Sequence, residues 1–466
     1  MMTRKLSVMA AAAATVALLA GCVNLAPEHQ RPEAPVSPQW PQGPGAEASD
    51  AKAATELQWQ QFFRDERLKQ LIELALKNNR DLRVALLNVD VAQAQANVTA
   101  ASRWPTVNVG LSASRGPQTT SNGDSKVVSA YQAGLQITSY EIDLFSRVKN
   151  QSAAAFAQYL ATGEAARTAQ ISLIAGVAQA YLAVQADEEL LALTRQTLTT
   201  REDSLKLMQL KFDNGAASNL DLSTSKSSYE SARATLAQAE RTRQQDVNAL
   251  TLLVGQPLPE SLTAAQPLSD QTMGALLAGL PSQVLVTRPD VRQAEQQLVA
   301  AEANIGVARA AYFPSISLTS SVGTASSALK DLFSQTAWNI AGSALMPIFD
   351  AGRVRNNVAA ARANREIAVA QYEKTVQTAF KEVADALAGR ATLDEQLRAQ
   401  EAQATAEATR LELVDLSYRN GAASSLDLLD AQRASFAARQ AALQVRLAQL
   451  QNQVQLYKVL GGGQPG

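Results

Sequence analysis

The sequence carries itself twice. Residues 205–222 and 411–428 share eleven identities in eighteen positions, including Asn214, Gly215, Ala216, Ala217, Ser218, Leu220, Asp221 and Leu222. Pro105 and Asp81 match Pro314 and Asp290 at an offset of 209, whereas Arg147, Gly215 and Gly255 match Arg353, Gly421 and Gly461 at 206. The chain is therefore two copies of one supersecondary unit. The three-residue slip falls between Pro105 and Arg147, so the first copy is expected to have the longer hairpin loop.

Prolines mark where each copy can be helical. None occurs between Pro117 and Pro257 or between Pro347 and Pro465. Inside a helix proline costs about 3 kcal/mol, so such gaps admit very long helices. Arg147–Asp213 and Arg353–Arg419 contain few glycines. As continuous helices each is roughly 100 Å long at about 1.5 Å per residue. Their recurrent alanines suit closely packed, coiled-coil-like neighbours. Charges interrupt every segment after the N-terminal one, which argues against a transmembrane helix.

Pro105–Arg115 has a different period. Val107, Val109, Leu111 and Ala113 alternate with polar or small residues, the pattern of a strand with one apolar face. Residues 127–139 continue it through Tyr131, Ala133, Leu135 and Ile137, beyond a polar loop. Residues 314–324 repeat it with Ile316, Leu318, Ser320 and Val322, and a weaker strand covers 336–345. The lengths approach the 9–11 residues of a tilted transmembrane strand. Trp104 and the Tyr312-Phe313 pair stand at the helix-to-strand junctions, where interfacial aromatics belong. Tyr140, Phe145 and Phe349 sit at strand-to-helix junctions and are expected to pack there.

Four strands cannot close on themselves. Lipid leaves sheet edges unsatisfied, and bacterial barrels start at about eight strands. Several chains must share one barrel.

The N-terminus sets the compartment. Arg4 and Lys5 precede an apolar run, Leu6–Ala20, too short for a comfortable span. The run ends Leu19-Ala20-Gly21-Cys22, with the chain's only cysteine last. This resembles the bacterial lipoprotein box, which implies a signal peptide over 1–21 and a lipid on Cys22. Val23-Asn24 lacks the aspartate that retains such proteins at the inner membrane, which implies outer-membrane sorting. Six prolines between Pro27 and Pro44 then read as an extended tether, residues 22–55.

Composition removes other functions. One histidine, His29, and one cysteine leave no material for a Cys/His zinc site, an internal disulfide or a Ser-His-Asp engine. A net charge of −1 gives no electrostatic case for nucleic acid. No phosphate-binding glycine fingerprint follows a strand. No cofactor, no metal and no catalytic residue is expected.

Two motif blocks carry a family resemblance. One is Tyr140-Glu141-Ile142-Asp143-Leu144-Phe145-Ser146-Arg147-Val148, echoed by Pro347-Ile348-Phe349-Asp350-Ala351-Gly352-Arg353-Val354. The other is Tyr418-Arg419-Asn420-Gly421 with Ser425-Leu426-Asp427-Leu428-Leu429-Asp430-Ala431-Gln432-Arg433. With the lipobox and the duplicated plan, nearly the whole mature chain resembles the TolC/OprM class of outer-membrane efflux proteins, in its lipoprotein (NodT-like) branch. The resemblance implies a mixed α and membrane-β fold. A homotrimer shares a 12-stranded β-barrel, four strands per chain, above a long α-helical periplasmic barrel. It implies passive conduction from periplasm to exterior, driven by an inner-membrane pump and joined to it by a periplasmic adaptor protein.

The expected division is repeat 1 over 56–255, with helices 147–213 and 220–253, an equatorial linker at 256–286, repeat 2 over 287–461, with helices 353–419 and 426–459, and a tail, 462–466. The resemblance also implies an equatorial belt from 56–77, 187–200, 393–406 and 255–285. It places the turns at Asn214-Gly215 and Asn420-Gly421 at the periplasmic tip, where the adaptor docks. It makes Asp427 and Asp430, one helical turn apart, a carboxylate constriction once three copies gather. It implies a latch from Tyr418 to Asp221. Ala423 stands where some relatives have a further latching arginine. Without the resemblance, the two aspartates read as a solvated face or as helix-start acids, and the turns as simple caps. A structural lipoprotein tethering the outer membrane to the cell wall or to partner helices is the alternative function.

Overall fold

The structure is a computed structural model that describes residues 23–41, 52–53, 57–119, 123, 125–271, 273–277 and 281–462. The signal peptide 1–21, Cys22, tether residues 42–51 and tail residues 463–466 lie outside the described residues. The main elements in chain order are α1 (Glu66–Asn78), α2 (Arg80–Ala101), β1 (Asn108–Thr119), β2 (Ser125–Glu141), α3 (Arg147–Asp213) and α4 (Asn219–Val254). The second copy supplies α5 (Pro289–Ala310), β3 (Ser315–Ser326), β4 (Thr336–Leu345), α6 (Arg353–Arg419) and α7 (Ser425–Val459).

Packing divides the chain into two compact units, and the division cuts across the repeats. One unit draws on Met1–Glu33 (described from Val23), Asn88–Gly163 and Gln293–Glu373. The other draws on Ala34–Leu87, Glu164–Arg292 and Lys374–Gly466. The 67-residue helices α3 and α6 run through both. Helices that long bury their two halves against different neighbours, so repeats and packing units are different divisions of one chain.

The first unit holds an antiparallel sheet ordered β1-β2-β3-β4. Register puts Val109 opposite Leu135, Leu135 opposite Val322 and Val322 opposite Trp338, so one face carries an apolar row. The next row is Asn108, Gln136, Ser321 and Asn339, on the opposite, polar face. The apolar row is bare: Val109 is 84% exposed and Trp338 74%. Gly134 and Gly323 face each other where β2 meets β3. A Cβ on either would run into the other strand's backbone, so the strands close there only as glycines. A bulge lies between Ile137 and Tyr140. The slip between repeats does not lengthen the first loop. The extra residues lengthen β2, which has 17 residues against 10 in β4, while the second connection is the one holding a 3₁₀ turn, Leu329–Asp331. Phe145 stacks on Phe313 at 4.5 Å, whereas Phe349 is 89% exposed.

The start of the tether is docked. The Val23 N–H donates to the Leu144 carbonyl, and Arg309 donates to the Leu25 carbonyl. The His29 ring bonds Glu302 at 2.8 Å, and Arg31 binds Glu295 through two nitrogens. Partners 309, 302 and 295 descend along α5 as the segment ascends, so residues 25–31 run antiparallel to that helix. Proline fixes the segment's backbone, and charge pairs fix its position.

In the second unit Trp59, Phe62, Phe63 and α1 bury their apolar side chains against Leu173–Ala186 of α3, Val383–Leu387 of α6 and the end of α7. This burial lies N-terminal to the 187–200 and 393–406 stretches expected to build a belt. It also explains why α3, the one helix among the described residues with a stretch long and apolar enough to cross a membrane despite the expectation from charge, is not a span: that stretch is 61% buried inside the chain. Phe62 stacks on Tyr457 at 4.1 Å, and the Tyr457 hydroxyl donates to the Leu57 carbonyl. Asp65 caps α1 through the Arg67 N–H and accepts from the Tyr181 hydroxyl at 2.7 Å and from Gln271. Burial, then Asp65, push the Tyr181 phenol well above its ordinary range. The linker is not a bare connection: Leu276–Leu277 pairs in parallel with Lys52–Ala53. Arg288, nearly buried, binds Asp290, Glu382 and the Val459 carbonyl.

Candidate functional site at the helix-hairpin turns

The two turns are built alike. Gly215 and Gly421 take positive φ, 72° and 76°. The Ala216 N–H reaches back to the Lys211 carbonyl and the Ala422 N–H to the Ser417 carbonyl, closing Schellman-type ends on α3 and α6. Asn214 and Asn420 donate their side-chain amides to the Leu210 and Leu416 carbonyls, which also accept the backbone N–H of the same asparagines. Ser218 and Ser424 then start the returning helices, each in a reciprocal capping box with Asp221 or Asp427.

These boxes alter the reading of the carboxylates. Asp427 Oδ2 accepts from the Ser424 hydroxyl at 2.6 Å, and the Ser424 side chain and backbone hold this carboxyl below the usual range. Asp430 accepts from Arg410 and from Arg433, each at 2.6 Å, and these guanidiniums hold it low as well. Two carboxylates one helical turn apart repel each other, which acting alone raises both pKa values. Within the chain, hydrogen bonds and cations outweigh their mutual repulsion. Arg410 also binds Glu407, on its own helix.

The direct Tyr418–Asp221 link is not formed within the chain. The Tyr418 hydroxyl accepts from Lys211 Nζ at 3.0 Å, and the ammonium lies 4.5 Å from the Tyr418 ring centroid. Asp221 accepts instead from Ser218 and, at 3.2 Å, from Ser425. Both repeats are still tied across the turns, through Lys211–Tyr418 and Asp221–Ser425. Lys211 sits one position before the residue that matches Tyr418, and its cationic partner role left no trace in the repeat, because Ser417 stands at the equivalent place.

Beside these contacts is a cavity of about 440 Å³, lined by Ser204, Leu207, Met208, Tyr418, Leu428 and Gln432 among others. The lining mixes apolar, hydroxyl and amide groups with the charged Asp203, Asp415 and Arg419. No cluster of three or more His, Cys, Asp or Glu side chains suited to a metal occurs among the described residues.

The sequence matches the family described as Outer membrane efflux protein over residues 71–256 and 280–462. Over 459 residues it is 44% identical to the Antibiotic efflux pump outer membrane protein ArpC of Pseudomonas putida, covering 97% of this chain and 94% of that protein. The Toluene efflux pump outer membrane protein TtgC of Pseudomonas putida is similar to the same extent, 44% over 459 residues with the same coverage. Among solved structures, the open-state MtrE outer membrane channel of Neisseria gonorrhoeae superposes with a TM-score of 0.86 at 39% identity, covering 94% of this chain and 98% of that one. Matched in both repeats and along almost its whole length, the chain belongs to the outer membrane efflux protein family.

Proposed function

We propose that three copies of this chain form the exit duct of a tripartite efflux system. The observation that carries this is the sheet: four strands, one apolar face, one polar face and two open edges, β1 and β4. In a membrane those edges must be paired, and pairing β4 of one copy with β1 of the next closes a barrel whose polar row faces the water-filled lumen. The helices continue the conduit into the periplasm. A periplasmic adaptor docks at the Asn214-Gly215 and Asn420-Gly421 turns, and an inner-membrane pump supplies the energy. The duct is not an enzyme and uses no cofactor. Relatives named for toluene and for antibiotic efflux make small organic compounds the cargo we assign.

Asp427 and Asp430 form the constriction in this reading, but as a ring interleaved with Arg410 and Arg433. Its preference for cations is therefore weaker than bare carboxylates would give. The lipid on Cys22 belongs to the same proposal, and what supports it is that the next residue is docked: the Val23 N–H donates to the Leu144 carbonyl, just past β2. A tether alone would have no use for a two-faced sheet.

The test is the mass of the detergent-purified protein and its conductance in a planar bilayer. A trimer with stable unitary conductance is expected. A monomer that conducts nothing overturns the proposal. For the anchor, Cys22→Ser should abolish fatty-acid labelling while part of the export persists, because the barrel itself holds the protein in the membrane.

A further inference from the structure

Where α5 ends and α6 begins, the first unit has an open cavity of about 400 Å³. Its walls include Arg309 from the last turn of α5, Tyr312 and Phe313 from the turn that follows it, Arg355 and Arg362 from α6, and Leu25 from the docked N-terminal segment. The spacing explains the convergence. The Tyr312 N–H donates to the Arg309 carbonyl and the Phe313 N–H to the Ala310 carbonyl, a tight turn that keeps these residues at the end of α5, and 355 and 362 lie two turns apart on one face of α6. Arg309 spends one nitrogen on the Leu25 carbonyl. Among the described residues Arg355 and Arg362 make no ion pair, whereas Arg365 on the same helix pairs with Glu302 and Glu366.

The place gives the charge a meaning. Tyr312 and Phe313 precede β3 directly, so the cavity opens at the end of a membrane strand. In the connection between β4 and α6, just ahead of Arg355 in the chain, Met346, Ile348 and Phe349 are exposed, the last two to 89% each. Three guanidiniums beside bare apolar side chains, at a membrane edge, match one kind of molecule: an anionic headgroup attached to acyl chains.

The repeat shows that the fold itself does not require these arginines. The residues equivalent to Arg309, Arg355 and Arg362 in the first copy are Ala100, Lys149 and Phe156. The equivalent lining positions there hold two cations, Lys149 and Arg103 (the match of Tyr312), instead of three guanidiniums. The cluster of three arginines occurs in the second copy only.

We propose that this cavity is a binding site for the phosphodiester headgroup of an anionic phospholipid in the periplasmic leaflet. Arg355 and Arg362 take the phosphate oxygens, Arg309 adds charge from the opposite wall, and the acyl chains lie along Phe313 and the exposed collar. Guanidinium forks suit phosphate oxygens through paired N–H donors. The site requires the strands to be inserted in a membrane but not that the duct conducts, so lipid retention and conductance succeed or fail separately.

Native mass spectrometry of the whole protein, released from nanodiscs holding equal phosphatidylglycerol and phosphatidylethanolamine, reads the site directly. The wild type should retain phosphatidylglycerol in preference. Arg355→Ala with Arg362→Ala should lower that retention by about tenfold, from a few-fold loss per guanidinium. Arg355→Lys with Arg362→Lys should keep most of it, and Arg398→Ala, an exposed change elsewhere on α6, should have no effect. Equal retention of the two lipids by the wild type overturns the proposal, and needs no variant to fold. So does undiminished retention in the alanine double variant, or a lysine variant as poor as the alanine one. Displacement of the lipid by millimolar inorganic phosphate would show a site for free anions and overturn it as well.

Discussion

Lys211 Nζ sits 3.0 Å from the Tyr418 hydroxyl and 4.5 Å from the centre of its ring, so one ammonium joins the first repeat to the second beside both helix turns. The contact has a polar and a π component, and substitutions separate them. Tyr418→Phe removes the hydrogen bond and leaves the ring. Lys211→Met removes both, at a cost of about 1 kcal/mol more, since an exposed cation–π contact is worth about 0.5–1 kcal/mol. If this staple holds the turns together, single-channel open probability should rise modestly for Tyr418→Phe and further for Lys211→Met. Equal, wild-type behaviour of the two variants would mean that the turns are held by other contacts.

Asp430 is bracketed by Arg410 and Arg433, and this sets opposite signs for two substitutions. Asp430→Asn leaves two cations without a counter-charge and should lower cation preference at the constriction. Arg410→Ala frees the Glu407 carboxylate and leaves Asp430 with Arg433 alone, and should raise cation preference and block by divalent cations. Reversal potentials under a salt gradient measure both. The same sign from both changes would place these residues away from the conducting path.

Asp427 supports its helix start before it acts on any ion. Asp427→Asn keeps a side chain that can accept from Ser424, whereas Asp427→Ala removes the box. Loss of such a cap costs about 1 kcal/mol, confined to the first turn of α7. Hydrogen exchange of residues 424–428 should quicken in the alanine variant and stay near wild type in the asparagine variant. Equal exchange in both would leave the box without a structural role.

The outline of the fold was legible because it rests on strong local signals. Proline-free gaps permit long helices, and alternation over 107–113 and 316–322 gives strands with one apolar face. Duplication turned a weak reading of 336–345 into a strand. What stayed hidden depends on pairing between distant residues. Nothing near His29 or Arg31 in sequence announces Glu302 and Glu295, so the tether read as free. The residues around Arg410 and Lys211 do not reveal that one reaches Asp430 and the other Tyr418. The aspartates therefore looked like an uncompensated pair. Asn214, Gly215, Asn420 and Gly421 could be read as caps because capping is local; what docks on them is not written in the cap.

Gly134 and Gly323 face one another across β2 and β3, and a side chain on either meets backbone of the other strand. Gly323→Val should therefore break the pairing in the middle of the sheet. Backbone groups left unpaired in lipid are costly, so the variant should fail to assemble while the helical segments keep their circular dichroism. Gly342→Val, in β4 where a Cβ meets nothing within 4 Å, is the control. Normal trimer yield from Gly323→Val would mean that the strands tolerate a wider spacing.

Asp187 gives the helical part a pH dependence that can be worked out in advance. It lies on α3, with Asp246 on α4 beside it. Burial pushes its pKa up from 3.8 to about 7; the Asp246 carboxyl and the Glu188 charge act in the same direction, and Arg243 opposes them. Arg243 is engaged by Glu188, which limits its help. Between pH about 4 and 7 the native chain holds a proton here that the unfolded chain has released. Stability therefore falls as pH rises through that window, and the cost is complete above it. Because the residue is only partly buried, solvent screening reduces that cost to about 1 kcal/mol. Asp187→Asn mimics the protonated form. It should melt close to wild type near pH 4 and a few degrees higher at pH 8, with a flatter profile between. Glu188→Gln frees Arg243 and removes one like charge, so it should also stabilise the protein at pH 8, by less. Thermal melts of the three proteins at pH 4, 6 and 8 measure this, and an equal shift for Asp187→Asn at every pH would show that the residue does not hold the extra proton.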